Sequence, residues 1–215
     1  MNTDINTTIA VADAASATSP SVRHRPVQQQ PHPDEHDLRQ LQARVAAMES
    51  RWKTAPDPNR MNLLVFEGSR DRLLAAFVMA TGAASCGVDV SMFFTFWSTA
   101  ALRKPAPQRP NKSIIEWCFG WMLPKGLRAT RLSQLDMCGA GRLLMDREMR
   151  NKNIADLETL IQAAADLGVR INVCEMSMKL MGIQREELID YPDLGFCGVA
   201  TFAEMTTHAN TTLFI

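Results

Sequence analysis

The sequence predicts an α/β protein built on a doubly wound sheet of four to five mainly parallel strands. Short runs of β-branched and aromatic residues alternate with segments whose apolar residues recur every three or four positions. Several helical segments begin at a capping residue or end at a glycine. Strands that alternate with helices in this way form parallel sheets with helices on both faces.

The first 60 residues are predicted to lie outside this fold. Residues 1–33 are rich in Thr, Ser, Ala, Gln and Pro without an apolar period, so we expect a disordered tail. Residues 34–60 comprise an amphipathic helix and a linker. The helix either lies across the domain or pairs with a second copy as a short coiled coil, and both readings stay open. Its apolar stripe consists of Leu38, Leu41, Val45, Met48 and Trp52.

The folded domain, residues 61–215, is predicted to open with a βαβ unit. Residues 61–66 form an apolar strand, a second strand follows at 88–94, and Ser69 can cap the helix between them. The stretch 73–97 is apolar and long enough to cross a bilayer. Asp89 and the change from helical to continuous apolar spacing indicate a helix that feeds a buried strand, so membrane association is not expected.

The rest of the domain continues the alternation of helices and strands. Ser113 and Glu116 have the spacing of a capping box, and Asp156 is placed to cap a later helix. The predicted helices cover 113–122, 140–151, 156–167, 176–181 and 199–208, and the predicted strands cover 169–173 and 211–215.

Charge and composition exclude several classes of function. Lys plus Arg and Asp plus Glu both number 23, so no net field would draw the chain to nucleic acid. Five cysteines without a C-x-x-C pattern argue against a disulfide framework and a zinc knuckle. His208 is the one histidine in the predicted domain, and no dinucleotide or Walker motif occurs, so neither a metal nor a cofactor is expected. The lack of a secretory signal pattern predicts a cytoplasmic location.

Cys174 is the residue best placed for chemistry. It lies where the strand at 169–173 gives way to a helix, and the N–H groups at a helix start favour a thiolate over a thiol. The thiolate is the form that attacks sulfur. The plain alternative is a small buried hydrophobic residue, which is the more frequent state of a free cysteine.

Other segments are expected to line a site with Cys174. Glu67, Ser69, Thr95 and Trp97 follow the first and second predicted strands, and the carboxyl ends of parallel strands meet at one edge of a sheet. Met176 and Met178 could shield the sulfur from water, although methionines at helical spacing are more often core residues.

Seven segments of the domain together resemble one family. Val173-Cys-Glu-Met-Ser-Met178 is the most specific of them, and the others are residues 93–97, 122–126, 149–154, 181–190, 198–202 and 213–215. The chain resembles the DsrE/DsrF/DrsH-like sulfur-relay family, in its longer branch often labelled peroxiredoxin-like. The Thr-x-x-Cys pattern of true peroxiredoxins is absent.

The resemblance implies a Rossmann-like fold, a homo-oligomer and a persulfide carried on Cys174. It also implies exchange of that sulfur with a TusA-type carrier or a rhodanese-like donor. Cys118 is a possible second thiol, because related chains can carry one in that region. Cys138 and Cys197 inherit no role, since the match is loose at Cys138 and relatives usually have glycine at Cys197.

Three functions therefore remain open at this stage. The first is a sulfur carrier, sulfurtransferase-like rather than a turnover enzyme, which passes sulfane sulfur as a persulfide on Cys174. The second is a thiol-disulfide redox protein that uses Cys174 with Cys118 or Cys197, which requires their Cα atoms to lie within about 7 Å. The third is a non-catalytic oligomeric binding module in which Cys174 is inert.

Overall fold

A computed structural model of the chain describes residues 35–108 and 112–215. The predicted disordered tail, residues 1–33, lies outside the described residues. The chain divides at Glu49 into two units. Helix α1 (Glu35–Thr54) is the amphipathic helix predicted within residues 34–60, and its apolar stripe is exposed.

The main unit contains a five-stranded sheet in which every pair of neighbouring strands is parallel. The strand order is β4-β3-β2-β1-β5. The strands are β1 (Asp57–Val65), β2 (Asp89–Phe94), β3 (Arg170–Cys174), β4 (Leu194–Cys197) and β5 (Ala209–Phe214). The predicted α/β class and the parallel sheet are confirmed.

Helices cover both faces of the sheet. They are α2 (Arg70–Ser85), α3 (Trp97–Ala101), α4 (Ile114–Met122), α5 (Ala140–Asn151), α6 (Leu157–Asp166), α7 (Glu175–Met181) and α8 (Val199–His208). The main apolar core joins α2 and α6 to one face through residues such as Phe77, Phe94, Leu160 and Val173. On the other face, Phe202 of α8 packs against Phe93 in a second, smaller cluster. The sheet is therefore doubly wound.

Helix capping follows the chemistry of the sequence. The Ser113 side chain accepts from the Glu116 N–H and the Glu116 carboxylate accepts from the Ser113 N–H, which completes the predicted capping box. The Asp156 carboxylate accepts from the Thr159 N–H at 2.9 Å. Ser69 occupies the N-cap position of α2, but its hydroxyl makes no capping hydrogen bond.

Three elements differ from the expectation, and one of them is the short helix α3, which the sequence analysis did not predict. Strand β1 begins at Asp57 instead of Met61, and its first residues pair irregularly with β5. Strand β4 was not predicted from the sequence, because it has only four residues and includes Gly195. A Cβ atom at Gly195 would collide with the side-chain amide of Asn172, so a larger residue there would require that side chain to move.

The long apolar stretch at 73–97 resolves into α2, β2 and the start of α3, as the change of spacing predicted. Its buried residues lie on one face of α2 and along β2, where they pack in the main core or against the sheet. Within the two described ranges, no helix is both long enough and apolar enough to cross a bilayer.

Candidate functional site: the Cys174 junction

Cys174 is the last residue of β3 and the N-cap residue of α7. Its side chain is fully buried, with 0% relative exposure, in the cluster on the α8 face. Phe93 and Phe202 are the buried members of this cluster, and their rings stack with centroids 4.7 Å apart. The sulfur is thus sealed beneath α8 in this conformation.

The pKa of the Cys174 thiol reflects two opposed effects. Burial is the largest influence and by itself raises the pKa. The N–H groups of Ser177 and Met176 and the hydroxyls of Ser177 and Thr95 act in the opposite direction, because they stabilise a thiolate. Together these donors prevail, and the pKa of Cys174 lies below its ordinary value. A conventional side-chain capping bond from Cys174 to α7 is not formed.

The two hydroxyls belong to a hydrogen-bonded network. Thr95 Oγ1 lies 2.9 Å from Ser177 Oγ, and Phe96 donates its N–H to Ser177 Oγ at 2.9 Å. Ser98 Oγ accepts from the Thr95 N–H at 3.1 Å. Thr95, Ser98 and Ser177 are all buried, so this network holds the hydroxyls in place beside the sulfur.

Phe96 has a backbone conformation that is costly for a residue with a side chain. Its φ is 47° and its ψ is −126°. Backbone strain of this kind costs about 1–3 kcal/mol and persists only where the surroundings enforce it. At Phe96 it directs the N–H toward Ser177 Oγ, one of the donors to Cys174.

Cys197 lies directly beside Cys174. It is the last residue of β4, and the strand register pairs the two cysteines. The Cys197 side chain is half-buried and packs against the cluster that contains Cys174. Burial, the neighbouring Cys174 and the charge of Glu175 all raise the pKa of Cys197. The two thiols are therefore adjacent but have opposite tendencies to ionise.

Glu175 follows Cys174 directly, and its carboxylate has a cationic partner. Arg185 donates from Nη2 to Glu175 Oε1 at 2.5 Å. The same guanidinium lies 4.4 Å from the ring centroid of Phe196. Arg185 therefore offsets part of the negative charge near the two thiols.

Three of the residues expected to line the site meet in a separate cavity. Glu67, Ser69 and Trp97 line a cavity of about 680 Å³ beyond the end of β1, together with Lys125. The Ser69 hydroxyl is buried there and makes no hydrogen bond within the described residues. A Cβ atom at Gly68 would lie 2.6 Å from Trp97 O, so glycine allows the loop after β1 to approach α3. Cys174 is not among the residues that line this cavity.

The remaining expected residues are dispersed. The Met176 side chain is exposed, and only its backbone N–H faces the sulfur, whereas Met178 is buried in the main core. Cys118 is exposed on α4. Its neighbours Trp117 and Trp121 are exposed as well. Thr95 is thus the one expected lining residue that contributes a side-chain donor to Cys174.

Ser177 was missed as a site residue by the sequence analysis, and Cys197 was named only as one of two possible redox partners of Cys174. Ser177 lies three residues after Cys174, at the position whose N–H faces an N-cap side chain, so the spacing itself was an available signal. Cys197 had no such signal, because the strand that places it was not predicted. Among the described residues, groups of three or more His, Cys, Asp or Glu side chains that could hold a metal ion do not occur.

The fold and the Cys174 junction define an α/β protein with one buried, ionisable thiol at the carboxyl end of a central parallel strand. The chain belongs to the DsrE/DsrF/DrsH-like family, whose model matches residues 57–214. The resemblance found in the sequence is therefore confirmed.

Two curated relatives extend over nearly the same region. "Uncharacterized protein YrkE" from Bacillus subtilis is 35% identical over 156 residues, which cover 73% of this chain and 96% of the relative. "Sulfur carrier protein DsrE2" from Allochromatium vinosum is 26% identical over 164 residues, which cover 74% of this chain and 99% of the relative. The crystal structure of the ychN protein from E. coli is 13% identical and has a TM-score of 0.44, with 73% of this chain and 99% of that chain covered.

Proposed function

We propose that the chain is a sulfur carrier that holds sulfane sulfur as a persulfide on Cys174. The observation that carries this proposal is the position of Cys174 at the end of β3 and the start of α7, beside the paired hydroxyls of Thr95 and Ser177, where the pKa of a buried thiol is lowered. A cysteine that served only as a small hydrophobic residue would not require polar groups beside its sulfur, because a neutral thiol packs well in an apolar cluster. Membership of the family and the name of the Allochromatium relative support the same role.

The proposed chemistry needs one thiolate. The Cys174 thiolate attacks the outer sulfur of a donor persulfide, a bond forms between Cys174 Sγ and that sulfur, and the donor leaves as a thiolate. An acceptor thiolate then attacks the same outer sulfur, and Cys174 leaves as the thiolate again. Each transfer conserves electrons and the oxidation state of the sulfane sulfur, so no outside oxidant or reductant is required.

We infer that a displacement of α8 gives partners access to Cys174. Phe202 is the one buried residue of α8, and it is the residue of this helix that packs in the cluster with Cys174. Elements with few buried apolar contacts open at a low free-energy cost. The inference explains how a sealed sulfur can exchange with a macromolecular partner.

The proposed partners are a TusA-type carrier as acceptor and a rhodanese-like protein as donor, in the cytoplasm. We also propose a homo-oligomer. Large apolar side chains on α4 are exposed to an extent that favours a protein contact, and they are Ile114, Ile115, Trp117, Trp121 and Met122. The zero formal net charge gives no support for a nucleic-acid partner.

A transfer assay tests the proposal. The full-length protein is loaded with a small-molecule persulfide such as glutathione persulfide, separated from the donor and mixed with a reduced TusA-type carrier. We expect sulfur to appear on the carrier with the wild type and with Cys86→Ser, a matched change of an exposed cysteine. Cys174→Ser should transfer none. Equal transfer by Cys174→Ser would refute the role of Cys174.

A thiol-disulfide redox protein is the second candidate, and the pairing of Cys174 with Cys197 favours it over the use of Cys118. Such a protein would exchange electrons with a dithiol reductant and would not need sulfane sulfur. The two candidates differ in one readout. The carrier gains the mass of a sulfur atom from a persulfide donor, whereas the redox protein loses two hydrogens on oxidation and gains no sulfur.

A further inference from the structure

Cys174 and Cys197 form a pair of thiols on one face of the sheet. The register places Cys174 opposite Cys197 at the ends of β3 and β4. The preceding residues, Val173 and Phe196, pack with the main core on the other face. Because side chains alternate between faces along a strand, both thiols point toward the α8 face, where they share one cluster.

The separation of the two strands suits a disulfide. Neighbouring strands lie about 4.7–4.9 Å apart, and a disulfide joins Cα atoms about 4.4–6.8 Å apart. Each cysteine is the last residue of its strand, so the strand pairing ends there. Each also stands at the start of a helix, Cys174 as the N-cap residue of α7 and Cys197 directly before the N-cap residue of α8.

The surroundings favour a reaction between these two thiols over reaction with outside groups. The cluster that holds them consists otherwise of Leu64, Phe93 and Phe202, which exclude water from the Cys174 sulfur. A neighbouring thiol in a closed apolar site has a high effective concentration. Burial and the nearby Cys174 and Glu175 keep the pKa of Cys197 above its ordinary value, so its attack is slower than that of an ionised thiol. A persulfide on Cys174 therefore persists long enough to be delivered when an acceptor is present.

We propose that Cys197 is the intramolecular acceptor that discharges a Cys174 persulfide when no outside acceptor takes the sulfur. This inference rests on the proposed function. The Cys197 thiol gives up its proton to the outer sulfur of the persulfide, and its thiolate attacks the inner sulfur. A Cys174–Cys197 disulfide forms, and the outer sulfur leaves with the electron pair as hydrosulfide. The two cysteines are oxidised, and the sulfane sulfur is reduced.

This reaction would give the protein a second product, hydrosulfide, and would make it depend on a reductant. Its product is hydrosulfide, so a reaction that consumes sulfide would follow it. The disulfide must be reduced before Cys174 can accept sulfur again, which requires a dithiol reductant of the thioredoxin class. The same protein would then deliver bound sulfur to a carrier or release it as sulfide, according to whether an acceptor thiol reaches Cys174 before Cys197 does.

The test follows sulfur and disulfide in the same sample. Full-length protein is loaded with glutathione persulfide, freed of excess donor and kept without oxygen, and the hydrosulfide released is measured against time. The protein is then alkylated and digested without reductant. We expect one Cys174–Cys197 disulfide for each hydrosulfide released. Cys197→Ser and Cys197→Ala should keep their sulfur longer than the wild type and release hydrosulfide at least about tenfold more slowly. Cys118→Ser, the matched control, should match the wild type.

The outcomes separate this proposal from the one on which it rests. If Cys174 carries sulfur in all variants and the Cys197 variants release hydrosulfide as fast as the wild type, the role of Cys197 is refuted while the carrier function stands. A disulfide that joins other cysteines in the wild type would also refute it, without recourse to any variant. If Cys174 takes up no sulfur in any variant, the carrier function fails and the discharge fails with it.

Discussion

The Cys174 sulfur combines burial with ionisation, two properties that usually oppose each other. Burial alone would keep the thiol neutral and inert. Donors from two chain segments, the turn after β2 and the first turn of α7, reverse this effect. A persulfide needs both properties, since the thiolate performs the attack and the dry site protects the product from water and stray thiols.

The hydroxyl donors can be removed singly without a change of shape. Thr95→Val and Ser177→Ala should each raise the pKa of Cys174, because each variant removes a donor to the thiolate while burial remains. The measurement is a pH titration of thiolate absorbance in the ultraviolet, from which the same titration of Cys174→Ser is subtracted.

Thr99→Val is the matched control for this titration. The Thr99 hydroxyl is buried on the neighbouring α3 but makes no hydrogen bond within the described chain, and it is not among the donors to Cys174. We therefore expect Thr99→Val to leave the pKa of Cys174 unchanged. A shift of equal size in Thr95→Val and Thr99→Val would contradict the assignment of Thr95 as a donor.

The proposed displacement of helix α8 would separate Phe202 from the cluster that contains Cys174. Loss of a buried phenylalanine side chain costs about 3–5 kcal/mol, and each 1.4 kcal/mol taken from the free energy of opening gives about a tenfold change in the open population. Phe202→Ala should therefore speed the alkylation of Cys174 by iodoacetamide at least about tenfold. Peptide mass spectrometry at timed intervals measures this rate.

A second variant of α8 controls for the effect of any side-chain truncation on this helix. Val199 is exposed on the same helix, so Val199→Ala should alkylate at the wild-type rate. If Cys174 in Phe202→Ala reacts no faster than in the wild type, α8 is not the cover that limits access, and the route to the sulfur must lie elsewhere.

Helix α1 carries a stripe with coiled-coil spacing whose apolar members are all exposed. We propose that it pairs with its copy in the oligomer, because the stripe repeats at a and d positions over nearly three heptads. The double variant Leu41→Glu with Val45→Glu should lower the mass measured by light scattering after size exclusion. Placing the same two charges at Gln40 and Ala43, outside the a and d positions, should leave the mass unchanged. An equal mass for both double variants would contradict pairing through α1.

The whole molecule shows which features are local in the sequence and which depend on topology. The strands β1, β2, β3 and β5, the helix caps and the position of Cys174 at a strand end were all predictable, because apolar period and capping chemistry act over a few residues. The pairing of Cys174 with Cys197 was not predictable. It depends on strand β4, a short edge strand whose residues carry no alternating pattern, and on a strand order that only the assembled sheet defines.

The distribution of the expected lining residues follows the same logic. Glu67, Ser69 and Trp97 do gather beyond a strand end, but in a cavity separate from the sulfur. Two strand ends at one edge of a sheet can still face different spaces when a loop such as the one after β2 lies between them. Thr95 differs from Trp97 by two positions, yet it is Thr95 that reaches the network around Cys174.

The central claim is that Cys174 is the residue that receives sulfur, and the most direct measurement is the location of added sulfur after exposure to a persulfide donor. The wild-type protein is treated with glutathione persulfide, alkylated and digested without reductant, and each cysteine peptide is examined by mass spectrometry. We predict one added sulfur atom on the peptide that contains Cys174, and none on any cysteine of Cys174→Ser. Equal loading of Cys174→Ser, for example on Cys118, would contradict the claim.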